Sequence, residues 1–319
     1  MSLPSPEGIL AFVARCRCGA GPEAKDEAGY CSVCGLRWLP LAREALPRDH
    51  VEIVLTPGFA VVTDRGRRHA CNEDDAVLAL ENPPGLMPIS ILVVCDGVSS
   101  SQHADEASRA AAQAACTVLQ TNVQQRKPLS DEMALREAVR AAHAAACALP
   151  SIPDLAKGPP GTTLVAALAR QGVVTLCWVG DSRAYWLGPH ETRLLTHDHS
   201  WVNEVVDAGE MSEEDALCAP EAHGITRCLG LLNGDTPDDS PEPSLRTFPV
   251  AGPGWLLLCT DGLWNYAPQT EQIAALVRQS PPDTDALSLC RGLINYALAQ
   301  GGRDNITAAM LAVDTLAVD

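Results

Sequence analysis

The chain has no run of eighteen apolar residues, so no transmembrane helix is expected. It has no basic segment ahead of the short apolar run in MSLPSPEGILAFVARC, which argues against a secretory signal. Positive charge is scarce, with 23 Lys and Arg against 40 Asp and Glu and a formal net charge of −17. Such a chain is a poor partner for a nucleic-acid backbone or an anionic membrane. It does suit a protein that holds cations. There is no internal repeat, and there are no metal-type histidine pairs, which counts against a zinc hydrolase core. At 319 residues the sequence can bury one large domain and carry an appendage.

Thirteen cysteines is an odd count, and nine of them stand singly in strand-like or helix-like runs. Cys95, Cys177 and Cys259 lie in apolar stretches and read as small buried hydrophobes. The pattern fits a reducing cytoplasm rather than a disulfide scaffold. The other four, Cys16, Cys18, Cys31 and Cys34, form C-x-C…C-x-x-C, with glycine after Cys18 and Cys34. Two glycine turns facing each other would give the tetrahedral thiolate set that suits structural Zn²⁺. Residues 1–38 resemble a small zinc-ribbon module. The alternative is four ordinary thiols in a polar tail. Residues 39–57, with mixed charge and three prolines, read as a linker leading into a first strand.

The main domain is expected over residues 58–316. It is organised around Ile91–Gly97, ILVVCDG, an apolar run with the character of a strand buried on both faces that stops at an acid and a glycine. Trp255–Gly262, WLLLCTDG, repeats the pattern. Asp304 stands just before the apolar run Ile306–Val313, and Asn72–Asp74 precedes another. Ala104–Gln125 and Ser130–Leu149 read as alanine-rich helices. The block from Gly161 to Thr196 reads as short strands in an antiparallel meander. Ser200–Cys218, Thr270–Gln279 and Asp283–Gln300 read as helical. Strands and helices come in blocks rather than in βαβα alternation, so the fold class is α+β.

Hard Mg²⁺ and Mn²⁺ ions prefer carboxylate, carbonyl and water oxygen. Two such ions can share a water, lower its pKa and stabilise an in-line displacement at phosphorus. The scattered strand-end acids supply that inventory. Any one Asp-Gly alone would read as a solvated turn.

Taken in order, TDRGRRHACNED (63–74), VVCDG (93–97), GTTLVAA (161–167), VGDSR (179–183), THDHS (196–200), ITRCLG (225–230), CTDGLW (259–264) and RDNIT (303–307) resemble the metal-dependent protein phosphatases of the PPM type, the protein phosphatase 2C family. The resemblance implies a β-sandwich of two antiparallel sheets flanked by pairs of antiparallel helices. It implies hydrolysis of phosphoserine or phosphothreonine on proteins by metal-activated water, with no phosphoenzyme. By the same resemblance Asp96 matches the acid that bridges two Mn²⁺ or Mg²⁺ ions, and the Gly97 carbonyl a ligand of one. Asp261 and Asp304 match carboxylates on the other ion. Glu73 and Asp74 match acids that hold metal-bound water or the metal itself. Asp181, with Asp261, matches the support of a third metal present in many members.

The chain also departs from that family. His69 stands where arginine usually meets substrate phosphate; either it takes a catalytic role or Arg68 or another basic residue does. Val98 cannot transfer a proton. His103 is expected at a helix start, and His197 and His199 in a structural segment. Trp201–Gly224 corresponds to the variable flap, whose acids read as a solvated face. The implied partners are phosphorylated proteins, substrates of a cytoplasmic serine/threonine kinase. The competing reading is a catalytically weak or inactive phosphatase-fold module that binds a kinase or phosphoprotein.

Overall fold

A computed structural model describes residues 48–313 apart from 85–86, 126, 153–156, 171, 231–238 and 251, together with residue 33. The cysteine set Cys16, Cys18, Cys31 and Cys34 lies outside the described residues. Among those described, no helix is long and apolar enough to cross a membrane.

Strands β1 (His50–Thr56), β2 (Phe59–Asp64), β7 (Arg183–Leu187), β8 (Thr192–Leu194), β10 (Gly254–Cys259) and β11 (Ile306–Val313) form a six-stranded sheet in the order β1-β2-β11-β10-β7-β8. Strands β3 (Asp74–Glu81), β4 (Ile89–Asp96), β5 (Leu164–Arg170), β6 (Val173–Val179) and β9 (Ser244–Pro249) form a five-stranded sheet in that order. Every strand pair is antiparallel.

Side-chain alternation explains why the strands read as continuous apolar runs. In β4, Leu92 and Val94 enter the core between the sheets, while Ile91, Val93 and Cys95 face a helix layer. That layer is α1 (Ala104–Gln124) with α2 (Asp131–Cys147), whose buried stripes are largely alanine. In β10, Leu256 and Leu258 face the sandwich core. Leu257 and Cys259 face the second layer, built on α6 (Thr270–Arg278) and α7 (Ala286–Gln300). The α+β class and the sandwich with flanking helices are therefore as expected.

Three local expectations change. His50–Thr56, inside the segment read as linker, is an edge strand; Ile53 packs on the core while His50 and Glu52 face outward. The block from Gly161 to Thr196 is not one meander, because the chain leaves the five-stranded sheet after β6 and enters the six-stranded sheet at β7. Ser200–Cys218 is two short helices, α3 (Trp201–Asp207) and α4 (Glu213–Leu217), separated by a turn.

Candidate metal centre

On the five-stranded sheet Asp74 opens β3 and Asp96 closes β4, and the register sets the two residues directly opposite each other. Like charges at such a pair repel. Hydroxyls hold one oxygen of the buried Asp74: Oδ2 accepts from Thr260 Oγ1 at 2.9 Å and from Thr307 Oγ1 at 2.7 Å. The Thr63 hydroxyl lies 2.8 Å from that of Thr307. Asn72 Nδ2 donates to Thr63 at 2.8 Å, and Asn72 Oδ1 accepts the Asp74 N–H at 3.2 Å. The three threonines belong to β2, the end of β10 and β11, so the six-stranded sheet grips an acid of its neighbour.

The other oxygen, Asp74 Oδ1, is buried without a donor. Asp96 is within hydrogen-bond reach, yet two carboxylates offer each other only acceptors. Such a pair must take up a proton or meet a cation. Burial, followed by the charge of Asp304, pushes Asp74 up to about 7. Burial, then Asp74 and Asp261, pushes Asp96 well above the carboxylate range.

The backbone of Asp96 is fixed by the GTT segment. Its N–H donates to Thr163 Oγ1 at 3.1 Å, and its carbonyl accepts from Thr162 Oγ1 and the Thr163 N–H, both at 2.8 Å. Gly97 N–H donates to the Glu73 carbonyl at 3.1 Å. A Cβ on Gly97 would lie 2.5 Å from Ala104 O and 2.7 Å from Glu73 O, so only glycine fits there.

From the other sheet, Asp261 follows β10 as the first residue of α5 (Asp261–Trp264) rather than closing the strand. Burial, then Asp181 and Asp304, raises it well above the usual range, and it lies within hydrogen-bond reach of Asp96. A Cβ on Gly262 would stand 1.9 Å from the Asn305 carbonyl. Asp304 precedes β11. Beside it, buried Asn305 accepts the Glu73 N–H through Oδ1 at 2.8 Å, and its Nδ2 donates to Arg65 O at 2.8 Å and Cys71 O at 3.1 Å. Asn305 thus clamps the whole 65–73 loop.

His69 stands between two acids, with Nε2 3.1 Å from Asp304 Oδ1 and Nδ1 3.7 Å from Glu73 Oε2. Ser99 Oγ donates to Glu73 Oε2 at 2.5 Å. Asp181 lies where the chain crosses between sheets, and burial, then Asp198, raises it to about 6. Trp264 Nε1 donates to the Asp181 carbonyl at 3.0 Å. Arg183 braces that crossing, paired with both oxygens of Asp198 and stacked 3.7 Å over the Trp264 ring.

His197 and His199 do not converge on the site. His197 Nε2 is 2.8 Å from exposed Asp207, while buried His199 accepts the Gly180 N–H at Nδ1 and meets Ser244 Oγ at 2.9 Å. His103 occupies the position before α1 in the left-handed region, with Nδ1 3.1 Å from Glu106.

Asp96, Gly97, Asp181, Asp261 and Asp304 line one open cleft of about 820 Å³, with Glu73 and Asp74 behind its wall. All the oxygen-bearing residues expected at the site are thus neighbours. Sequence reasoning missed Thr63, Thr260, Thr307 and Ser99 as individual supports; the presence of Thr63, Thr260, Thr307 and Asn305 inside the TDRGRRHACNED, CTDG and RDNIT segments was the signal for all but Ser99. Among the described residues no three His, Cys, Asp or Glu side chains close on a single point. The donor set is carboxylate and carbonyl, which fits a hard divalent cation that keeps much of its water. The orphaned Asp74 Oδ1 fits a cation as well.

A sequence profile of the family described as protein phosphatase 2C matches residues 65–288. The chain is 32% identical over 256 residues to the serine/threonine phosphatase stp of Listeria monocytogenes, covering 79% of this chain and 94% of that protein. It superposes on the S. agalactiae serine/threonine phosphatase with a TM-score of 0.64 and 28% identity, over 80% of this chain and 98% of that one. The catalytic domain of the phosphatase PstP, solved in complex with two manganese ions, superposes with a TM-score of 0.59 and 30% identity, over 80% and 98%. The profile takes in strands of both sheets and the relatives align almost end to end: the chain belongs to the PPM-type protein phosphatase 2C family.

Proposed function

We propose that the protein is a metal-dependent serine/threonine phosphatase that hydrolyses phosphoserine and phosphothreonine on proteins. One observation carries the reading: acids from both sheets meet at one cleft around Asp96, and Asp74 Oδ1 beside it is buried without a donor. Two Mn²⁺ or Mg²⁺ ions held there would activate water for in-line attack on phosphorus.

The chain's own residues divide the work. Asp96, in reach of Asp74 on one side and Asp261 on the other, would be shared between the ions, with the Gly97 carbonyl, Asp74, Asp261 and Asp304 completing the set that would hold them. Asp181, which also lines the cleft, would support a third, weaker position with Asp261. Glu73, steadied by Ser99, orients water, and His69 Nε2 holds or passes a proton at Asp304 Oδ1. The threonine row keeps Asp74 from rotating, so that Oδ1 stays free for a cation.

The relatives bear names of serine/threonine phosphatases, which supports phosphoproteins made by a serine/threonine kinase as substrates. Cysteine usage supports a cytoplasmic setting, and the spacing of Cys16, Cys18, Cys31 and Cys34 supports structural Zn²⁺ in residues 1–38.

The test is hydrolysis of a phosphothreonine peptide with Mn²⁺, with chelator, and by Asp96→Asn. Turnover that needs Mn²⁺ and falls by about 10³-fold or more in the variant is expected, given the effect of losing a central electrostatic group. Absence of turnover over a panel of peptides despite bound Mn²⁺ overturns the reading.

A further inference from the structure

We infer that Arg303 receives the substrate's phosphoryl oxygens; this rests on the phosphatase reading above. A phosphomonoester arrives as a dianion and must enter a cleft walled by Asp96, Asp181, Asp261 and Asp304. With Glu73 and Asp74 counted, six carboxylates would face two divalent cations, so negative charge would remain and a fixed positive side chain at the wall would orient the incoming dianion. Among the described residues lining the cleft, Arg303 is the one arginine or lysine.

Arg67 and Arg68 are exposed but do not line the cleft, and four other basic groups near the site are engaged elsewhere. Arg65 donates to the His69 carbonyl and pairs with Asp49 at 3.3 Å. Lys157 Nζ donates to the carbonyls of Ser99 and Ser101 at 3.3 and 3.4 Å. Both ring nitrogens of His69 face acids. Arg183 is committed to Asp198 and Trp264.

Arg303 differs in both halves. Its backbone is anchored, because the N–H donates to Tyr266 Oη at 2.9 Å and Tyr266 itself lines the cleft. Its side chain is exposed, and none of the ion pairs among the described residues takes its guanidinium. A guanidinium on an anchored backbone, with its fork of donors unspent, matches two oxygens of a phosphoryl group. Its place next to Asp304 sets that fork beside the metal-binding wall.

The test uses the full chain loaded with Mn²⁺, comparing wild type with Arg303→Met and Arg303→Lys. Inorganic phosphate binding is followed by calorimetry, Mn²⁺ binding in the same way, and phosphothreonine-peptide kinetics alongside. The expected result is phosphate binding weakened about tenfold or more in Arg303→Met, with KM raised in parallel, Mn²⁺ affinity within about twofold of wild type, and partial recovery in Arg303→Lys. Unchanged phosphate affinity and KM in Arg303→Met overturn the assignment while leaving the phosphatase reading intact. A wild type that binds phosphate through Arg303 but never turns over peptide retains the assignment and overturns the phosphatase reading. A wild type that neither binds phosphate nor turns over overturns both.

Discussion

The two sheets bring acids to the same cleft by different means. The five-stranded sheet presents Asp74 and Asp96 from strand residues in register, with two hydroxyls on one oxygen of Asp74 and two threonines on the backbone of Asp96. The six-stranded sheet presents Asp261 from the start of a short helix and Asp304 from the residues before β11, with Asp304 still 40% exposed at its side chain. One half is a fixed floor and the other a pair of walls set by backbone packing. The acids whose charges lie closest together sit on the rigid half, and the acid nearest solvent, Asp304, sits on the other.

If backbone packing sets the walls, the heaviest damage should follow a single methyl group placed there. Gly262→Ala puts a Cβ into the Asn305 carbonyl. It should cost about 3 kcal/mol or more of stability, read from urea unfolding. A loss below about 1 kcal/mol would mean that the wall yields, and the contrast with the floor would fail.

A second experiment separates charge from scaffolding. With chelator present, Asp261→Asn removes one of several crowded buried charges and should raise Tm by roughly 2–4 °C, the shift of about 1 kcal/mol in a domain of this size. Thr307→Val takes a donor from Asp74 and should lower stability by about 1–2 kcal/mol under the same conditions. Movement of both variants in the same direction would erase the distinction between a repelling site and its support.

The smallest effect concerns pH. His199 accepts the Gly180 N–H, so its ring is neutral, and burial, then Arg227 and His197, lowers it to about 4 from an ordinary 6.5. Between those values the unfolded chain binds the proton and the folded chain does not, so this contribution is full above about pH 6.5 and is lost as acid is added toward pH 4. Thermal unfolding from pH 7 to pH 5 should therefore fall less steeply in His199→Gln than in wild type; equal slopes would remove His199 from the supports of the five-stranded sheet's edge.

The acids themselves were legible because each ends or begins an apolar run, and a charge at that boundary is conspicuous. Their supports were not. Thr63 and Thr307 are ordinary strand residues and Thr260 directly follows β10, and nothing local distinguishes a threonine that faces a carboxylate 233 residues away in sequence from one that faces water. The strand at His50–Thr56 was hidden by its alternation of charged and apolar residues between two prolines, as befits an edge. The crossing between sheets at Gly180–Ser182 was hidden because a hairpin turn and a sheet change use the same small polar residues. Asp261 was read as a strand end since DG stops a strand in either case; that a helix starts there depends on α5 packing against β11.

The pairing of β2 with β11 joins residues 59–64 to residues 306–311. During synthesis β2 is made early, with five of its six residues destined for burial, yet its neighbour on one side leaves the ribosome some 240 residues later. A polypeptide growing at about 5–20 residues per second holds that apolar edge open for about 10–50 s. The middle of the six-stranded sheet, Thr307 beneath Asp74 and, just ahead of the strand, Asp304 at the wall arrive together with β11. The two sheets are therefore assembled in the order opposite to their use: among the described elements, the groove that a substrate meets first is completed by the last strand made.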